Sequence, residues 1–523
     1  MFEFGSSRST ARTVVAVLLM VAALGATVAF LTLGVLDAPD AAEDLLADRD
    51  VLDRLTFSIA QAAAAAAIGL AAGLPASWLL SRHGLPARGL LGFLLAAPIA
   101  IPGVVVALGL DLLAGGEILP RVLVVAAHSV FACAVVTWLV APAWASGDRH
   151  ATEDARLLGA GAWSAFLAGT GRQLPGAVRA AAALAFWYAF AGAATVTVLG
   201  GGDATTLEST LAFGEPPTIA RPEVSDALAA ESGSVALAQF VLGAIVLALG
   251  GTRWPRPTGR RGRAPRAIVA LGAIYLLALI GITWAPAVAV ATEAAQASAL
   301  AEVADAIVAG DEGLRLLAWT GILGMLAAAL ATTLAWLGAA AFARPTGGRR
   351  GALGRALLVL PAALTGAVVG WAGLVLAEGA GLDLERTYVL TVAAHALIAY
   401  PFALRLLSMR RRPPRMLLED AVLLGGSERE VRWRWMGRRT LLTLMSAALV
   451  SFAISAGEVA ATNLLTPGEA TPAVLGILRG WEDGAGATPP EVYALGTVLA
   501  ALTVVAFGVA EWLRRAAARV EAG

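Results

Sequence analysis

EDARLLGAG (residues 153–161) and EDAVLLGGS (residues 419–427) share five of their first six letters, and a glycine follows at the same place in each. Each copy comes just after a run of about twenty apolar residues. A short acidic-then-glycine phrase repeated across apolar surroundings points to a duplicated architecture.

The surroundings of the phrase define the class. Of 523 residues, 58% are hydrophobic and 15% charged. Mean hydropathy is +0.76. Soluble domains sit nearer about 45–50% apolar and about 25% charged. The excess indicates a polytopic membrane protein. Formal net charge is zero, so bulk charge gives no argument for a nucleic-acid partner. All 38 basic residues are arginine. The single cysteine, Cys133, lies in an apolar run and reads as a small core residue.

Crossing a bilayer takes about 20 apolar residues. Twelve stretches qualify: 13–36, 55–80, 89–113, 121–145, 177–199, 233–251, 267–291, 317–343, 356–378, 388–408, 440–464 and 492–513. The loops between them alternate in charge. Segments 37–54, 200–232 and 292–316 hold seven, six and five acids. Segments 253–266, 344–355 and 405–439 hold six, four and ten arginines. Basic loops stay in the cytoplasm, which sets both termini inside and gives twelve crossings.

The spans repeat as well. APIAIPGVVVALGL (97–110) and LPAALTGAVVGWAG (360–373) place Pro98 and Gly103 on Pro361 and Gly366. VVAAHSV (124–130) and TVAAHAL (391–397) align His128 with His395. The expected fold is an all-α polytopic membrane protein with about 12 transmembrane helices in two parallel six-helix repeats. Residues 1–53 are then a first span and acidic outer loop, and 54–252 the first repeat with its long cytoplasmic loop. Residues 253–266 form an Arg/Pro-rich cytoplasmic linker, and 267–316 the first span of the second half with its outer loop. Residues 317–515 are the second repeat and 516–523 a tail. Parallel repeats of this kind place a pathway between the halves.

Both copies of the phrase fall in basic loops of about 30 residues, long enough to expect a function. Glu153 and Asp154, then Leu157, Leu158 and Gly159, predict a short helix with acids toward its positive end and a glycine stop. Glu419, Asp420, Leu423, Leu424 and Gly425 repeat the order. An apolar side outside lipid needs something to dock on.

The phrase, its loop and its place before the fifth span of each half resemble the EAA loop of permeases in binding-protein-dependent ABC importers. That pattern is Glu-Ala-Ala, three residues, then Gly, with an apolar-Pro pair later. Here it reads Glu153-Asp154-Ala155, Gly159 and Leu174-Pro175, then Glu419-Asp420-Ala421 and Gly425. Asp replaces the second residue in both copies, and the second has Met436-Gly437-Arg438 where the Pro is expected. The resemblance covers about residues 54–515. It implies that Glu153, Asp154, Ala155, Leu158, Gly159 and Glu419, Asp420, Ala421, Leu424, Gly425 couple to two separate ABC ATPase subunits. ATP and Mg would be held by those subunits and no cofactor by this chain. An extracytoplasmic solute-binding protein and a plasma (inner) membrane location are implied too. A P-loop requires lysine, so a chain without lysine does not itself carry that motif.

For the substrate, TVLGGGDATTLEST (197–210) resembles thiamine-type permeases. SAGEVAATNLLTPGEATPAVLGIL (455–478) resembles iron(III)-type and phosphonate-type permeases. Glu458 is an acid well inside an expected span, which makes it a functional candidate by default. It either lines a cavity for a cationic solute or bonds a helix end. Gly457 aligns with Gly192, and Glu458 with Ala193. His128 and His395 read as packed, bonded residues rather than metal ligands. A twelve-span secondary transporter is the alternative; it would carry more mid-span charge and lack the twin phrase. No paired carboxylates or nucleophile-base set argues for a membrane enzyme.

Overall fold

The computed structural model describes residues 48–82, 85–145, 149–169, 171, 174–200, 204–214, 226–250, 266–296, 301, 312–339, 354, 356–381, 388–408, 423–425, 427–466, 471–484 and 488–519, with scattered residues between 14 and 36. Every regular element among them is helical. In chain order these include α1 (Arg49–Arg82), α2 (Arg88–Ala96), α3 (Gly103–Ala114), α4 (Pro120–Ala145), α5 (Arg149–Leu157), α6 (Ala162–Ala168), α7 (Leu174–Phe190), α8 (Ala193–Gly200) and α9 (Leu207–Phe213). They continue with α10 (Asp226–Gly250), α11 (Arg266–Gln296), α12 (Glu312–Gly338), α13 (Gly366–Gly379), α14 (Val389–Ser408), α15 (Glu428–Ala456), α16 (Ala460–Leu465), α17 (Ala473–Asp483) and α18 (Pro490–Arg519).

Eight helices are long and apolar enough to cross a membrane: α1, α4, α10, α11, α12, α14, α15 and α18. Three further expected spans exist but are bent. Arg88–Ala100 meets α3 at 99°, α7 meets α8 at 51°, and Ala356–Ala363 meets α13 at 90°. Counting each bent pair as one span gives up to eleven. Only parts of the first expected span, 13–36, are described; Met20, Leu24 and Leu31 there are buried. Linker residues 253–265 and tail residues 520–523 lie outside the described residues.

The bends have local causes. Pro102 holds Ile101 out of the helix, extended at φ −72° and ψ 124°, after a 3-10 turn at Ala97–Ala100. The second copy makes the same turn at Leu360–Ala363, with Leu364 at φ −76° and ψ 125°. Thr365 replaces Pro102 there and caps α13 by accepting from Val368 N–H. The repeat seen in Pro98/Gly103 and Pro361/Gly366 is therefore kept in backbone torsions.

Small residues let the helices approach. Gly69 and Gly73 of α1, one turn apart, sit against the α4 backbone at Ala132 and Cys133 and against Val136. Cys133 is buried in that contact, as its small size allows. Gly109 of α3 crosses α11 so closely that a Cβ there would collide with the backbone carbonyl of Pro286. Backbone cannot yield as a side-chain tip does. A Gly109→Ala variant is expected to be destabilised by about 3 kcal/mol, read as a lower melting temperature in detergent. Packing residues from both halves join one core, with Val104, Val105 and Leu108 beside Val368, Trp371 and Leu464.

Candidate functional site

The twin phrases form the first candidate site. In α5 the helix begins at Arg149, so Glu153 and Asp154 fall in its middle and its first turn carries no acid. The expected pairing of these acids with the helix start is corrected accordingly. The glycine stop is as the sequence predicts. Gly159 has φ +85°. Its N–H donates to Arg156 O at 3.0 Å, and Ala160 N–H donates to Ala155 O at 2.9 Å. That is a Schellman cap, satisfying carbonyls that would otherwise be orphaned.

In the second copy Glu419, Asp420 and Ala421 lie outside the described residues. Leu423, Leu424 and Gly425 are described, and Gly425 has φ +82°, within a few degrees of Gly159. The leucines before each glycine project outward: Leu157 is 86% exposed, Leu158 88%, Leu423 84% and Leu424 87%. Trp163 of α6, 70% exposed and stacked on Phe166, adds apolar surface beside the first pair.

The second candidate site is a cavity of about 160 Å³ between the halves. Three helix breaks bound it: Pro102–Gly103, Ala191–Ala193 and Gly457–Val459. The fourth, at Gly366, touches its wall, because a Cβ there would collide with Glu458 Oε1. Gly192, Gly457 and Glu458, singled out from sequence, therefore come together. Gly457 faces Pro102 of the other half, whose Cα would lie 3.4 Å from an added Cβ. Glu458 Oε1 accepts from Ala461 N–H at 3.0 Å, capping α16. In the structure this carboxyl both bonds a helix end and forms part of the cavity lining. Phe131 and Tyr188, stacked with centroids 5.1 Å apart, line it too.

The two histidines part company. His395 is fully bonded, Nδ1 to Ser455 Oγ at 2.8 Å and Nε2 to Thr462 Oγ1 at 2.9 Å. His128 lines the cavity; its Nδ1 meets Gln61 Oε1 at 2.7 Å, and its Nε2 lies against Gly192 without a hydrogen bond of ordinary geometry. Among the described residues no three His, Cys, Asp or Glu side chains converge as a metal set.

Two residues escape the sequence reading. Glu208, placed by sequence in an acidic outer loop, is fully buried on α9. Its signal was the Thr206–Ser209 capping box ahead of an apolar run. Arg405 is 5% exposed, with its guanidinium 3.9 Å from the Trp138 ring of the other half. Trp138 Nε1 donates in turn to Glu511 Oε1 at 3.2 Å. A buried arginine in the last turn of an apolar span marks an interaction, but its partner lies 267 positions away.

Comparison with known protein families, characterised proteins and solved structures finds no match.

Proposed function

We propose that this chain is the membrane permease of an ATP-driven importer of the binding-protein-dependent ABC type. Its twelve spans form two parallel six-helix repeats, with both termini cytoplasmic, in a plasma (inner) membrane. The observation that carries the reading is the pair of exposed leucine doublets, each ahead of a left-handed glycine, on the phrase that resembles the EAA loop. Leu157-Leu158 and Leu423-Leu424 are apolar, unburied and each followed by a glycine with positive φ. Such a surface costs free energy until a partner covers it. Two copies fit two ATPase subunits, whose closure rocks the halves about the cavity between them.

The solute class follows from the cavity lining. Glu458 is the carboxylate in the wall, and Phe131 and Tyr188 supply aromatic faces. Carboxylate with aromatic faces favours a cation and repels an oxyanion. An organic cation of the thiamine kind fits this better than a phosphonate, and better than a bare iron(III) ion, which takes several oxygen or nitrogen ligands.

The test is a gentle crosslink of the tagged chain in its own membrane, followed by identification of what copurifies. A stoichiometric P-loop ATPase, lost on deleting 153–161 and 419–427, is the expected result. No ATPase under conditions that hold a known importer together overturns the reading in favour of a secondary transporter.

A further inference from the structure

The helix α9 (Leu207–Phe213) belongs to the first half by sequence, yet three of its polar groups are bonded into the second. Glu208 Oε1 accepts from Ala367 N–H at 3.0 Å, in the first turn of α13. Its other oxygen lies 2.8 Å from the amide nitrogen of Gln239 on α10, in the orientation that satisfies both groups. Two carbonyls near the end of α9 are engaged as well. Trp371 Nε1 donates to Leu211 O at 2.8 Å, and Asn463 Nδ2 donates to Ala212 O at 2.9 Å. Three donors from α13 and α16 thus converge on one short helix of the opposite half.

The second half has an equivalent helix, α17 (Ala473–Asp483). Leu207 N–H donates to Ser58 Oγ of α1, and Ala473 N–H donates to Thr320 Oγ1 of α12. The next residue is Glu208 in the first copy and Val474 in the second. Only the first copy, then, carries the acid.

We propose that α9 is an inter-half latch on the external side of the cavity, released each time the cavity opens outward. The sidedness rests on the twelve-span permease reading above. The helix held by the latch, α13, starts at Gly366, and Gly366 packs against Glu458 in the cavity wall. Separating the halves on that side parts α13 and α16 from α9 and breaks three hydrogen bonds. Glu208 is satisfied in the closed state by an amide N–H at a helix start and a side-chain amide. Once released it is satisfied by water. Both end states leave both carboxyl oxygens bonded; in between, Gln239 of the same half keeps one oxygen while the other, parted from Ala367 N–H, has no partner, which makes the element two-state rather than gradual.

The experiment uses the full chain in right-side-out vesicles, in a Cys133→Ala background. A reporter thiol, Ala127→Cys, sits in the cavity wall, and labelling by a membrane-impermeant maleimide is timed. Adding Glu208→Ala is expected to speed external labelling on the order of tenfold, the effect of losing one buried hydrogen bond across the halves. Oxidising a second pair, Ala212→Cys with Asn463→Cys, is expected to suppress external labelling, with recovery on reduction. This arm leaves Glu208 intact and stands even if Glu208→Ala fails to fold. External labelling indifferent to the crosslink, with internal labelling normal, overturns the latch alone. Labelling from neither side in any variant overturns the latch and the pathway reading together.

Discussion

Changing Leu157, Leu158, Leu423 and Leu424 together to glutamate is expected to abolish ATPase copurification and to lower ATP-driven uptake at least about hundredfold. Each leucine is 84–88% exposed. Burying one fully is worth about 1.5–3 kcal/mol, so four offer roughly 6 kcal/mol or more. A hundredfold loss requires only about 2.7 kcal/mol, and a carboxylate forced into an apolar cleft adds its own desolvation cost. The chain itself has little to lose, since these side chains pack against almost nothing. Its melting temperature and elution profile are therefore expected to stay as in the native protein. Changing one doublet alone is expected to leave partial ATPase binding and little uptake, because the proposed importer needs both subunits to close together. Native uptake by the fourfold variant would remove the leucines from coupling and take the central support from the importer reading.

Much of this was written in the sequence because periodicity and turn chemistry are local. The apolar lengths anticipated a span at each of the eight long helices, although the expected 440–464 runs past the end of α15 at Ala456 and across the break before α16. Gly159 and Gly425 at the end of each phrase anticipated left-handed stops, and φ values of +85° and +82° are what such stops require. The bends were less visible. An apolar count does not register direction, so 89–113 and 356–378 read as straight rods. The available signal was Ile101-Pro102-Gly103, a residue held extended before proline and then a permissive glycine. The second copy lacks that proline and uses Thr365 instead, so only the repeat could have carried the inference across. Glu208 was hidden for a different reason. Six acids between 200 and 232 read as a solvated loop, yet Glu208 is buried by donors from Ala367 and Gln239 that no local pattern brings near. Charge counts average over a segment; burial is decided residue by residue, by partners far off in the chain.

The cavity carboxyl admits a sharper test because its two duties separate by substitution. Glu458→Gln keeps the side-chain oxygen that accepts from Ala461 N–H and keeps the shape that fits against Gly366. The cap on α16 and the fold are therefore expected to survive, with an unchanged melting temperature. What Gln removes is the capacity to carry a negative charge facing a cationic solute in the cavity that Phe131 and Tyr188 also line. Losing the charged partner of a desolvated cation costs about 2–5 kcal/mol, so uptake of thiamine, taken as the test organic cation, is expected to fall about 30-fold or more. Glu458→Ala removes the acceptor as well and is expected to lower stability by about 1–3 kcal/mol on top of the same loss of uptake. Uptake measured beside melting resolves the two roles. A Gln variant that transports normally, with an unstable Ala variant, would leave Glu458 as a helix cap and nothing more. A Gln variant that is stable but idle assigns the charge to the solute. Repeating the Gln assay with iron(III) and with a phosphonate then bears on the solute class. A carboxylate that attracts organic cations should not impede a phosphonate when neutralised, so phosphonate uptake lost in parallel with thiamine uptake would mean that the substitution had damaged the pathway rather than its selectivity.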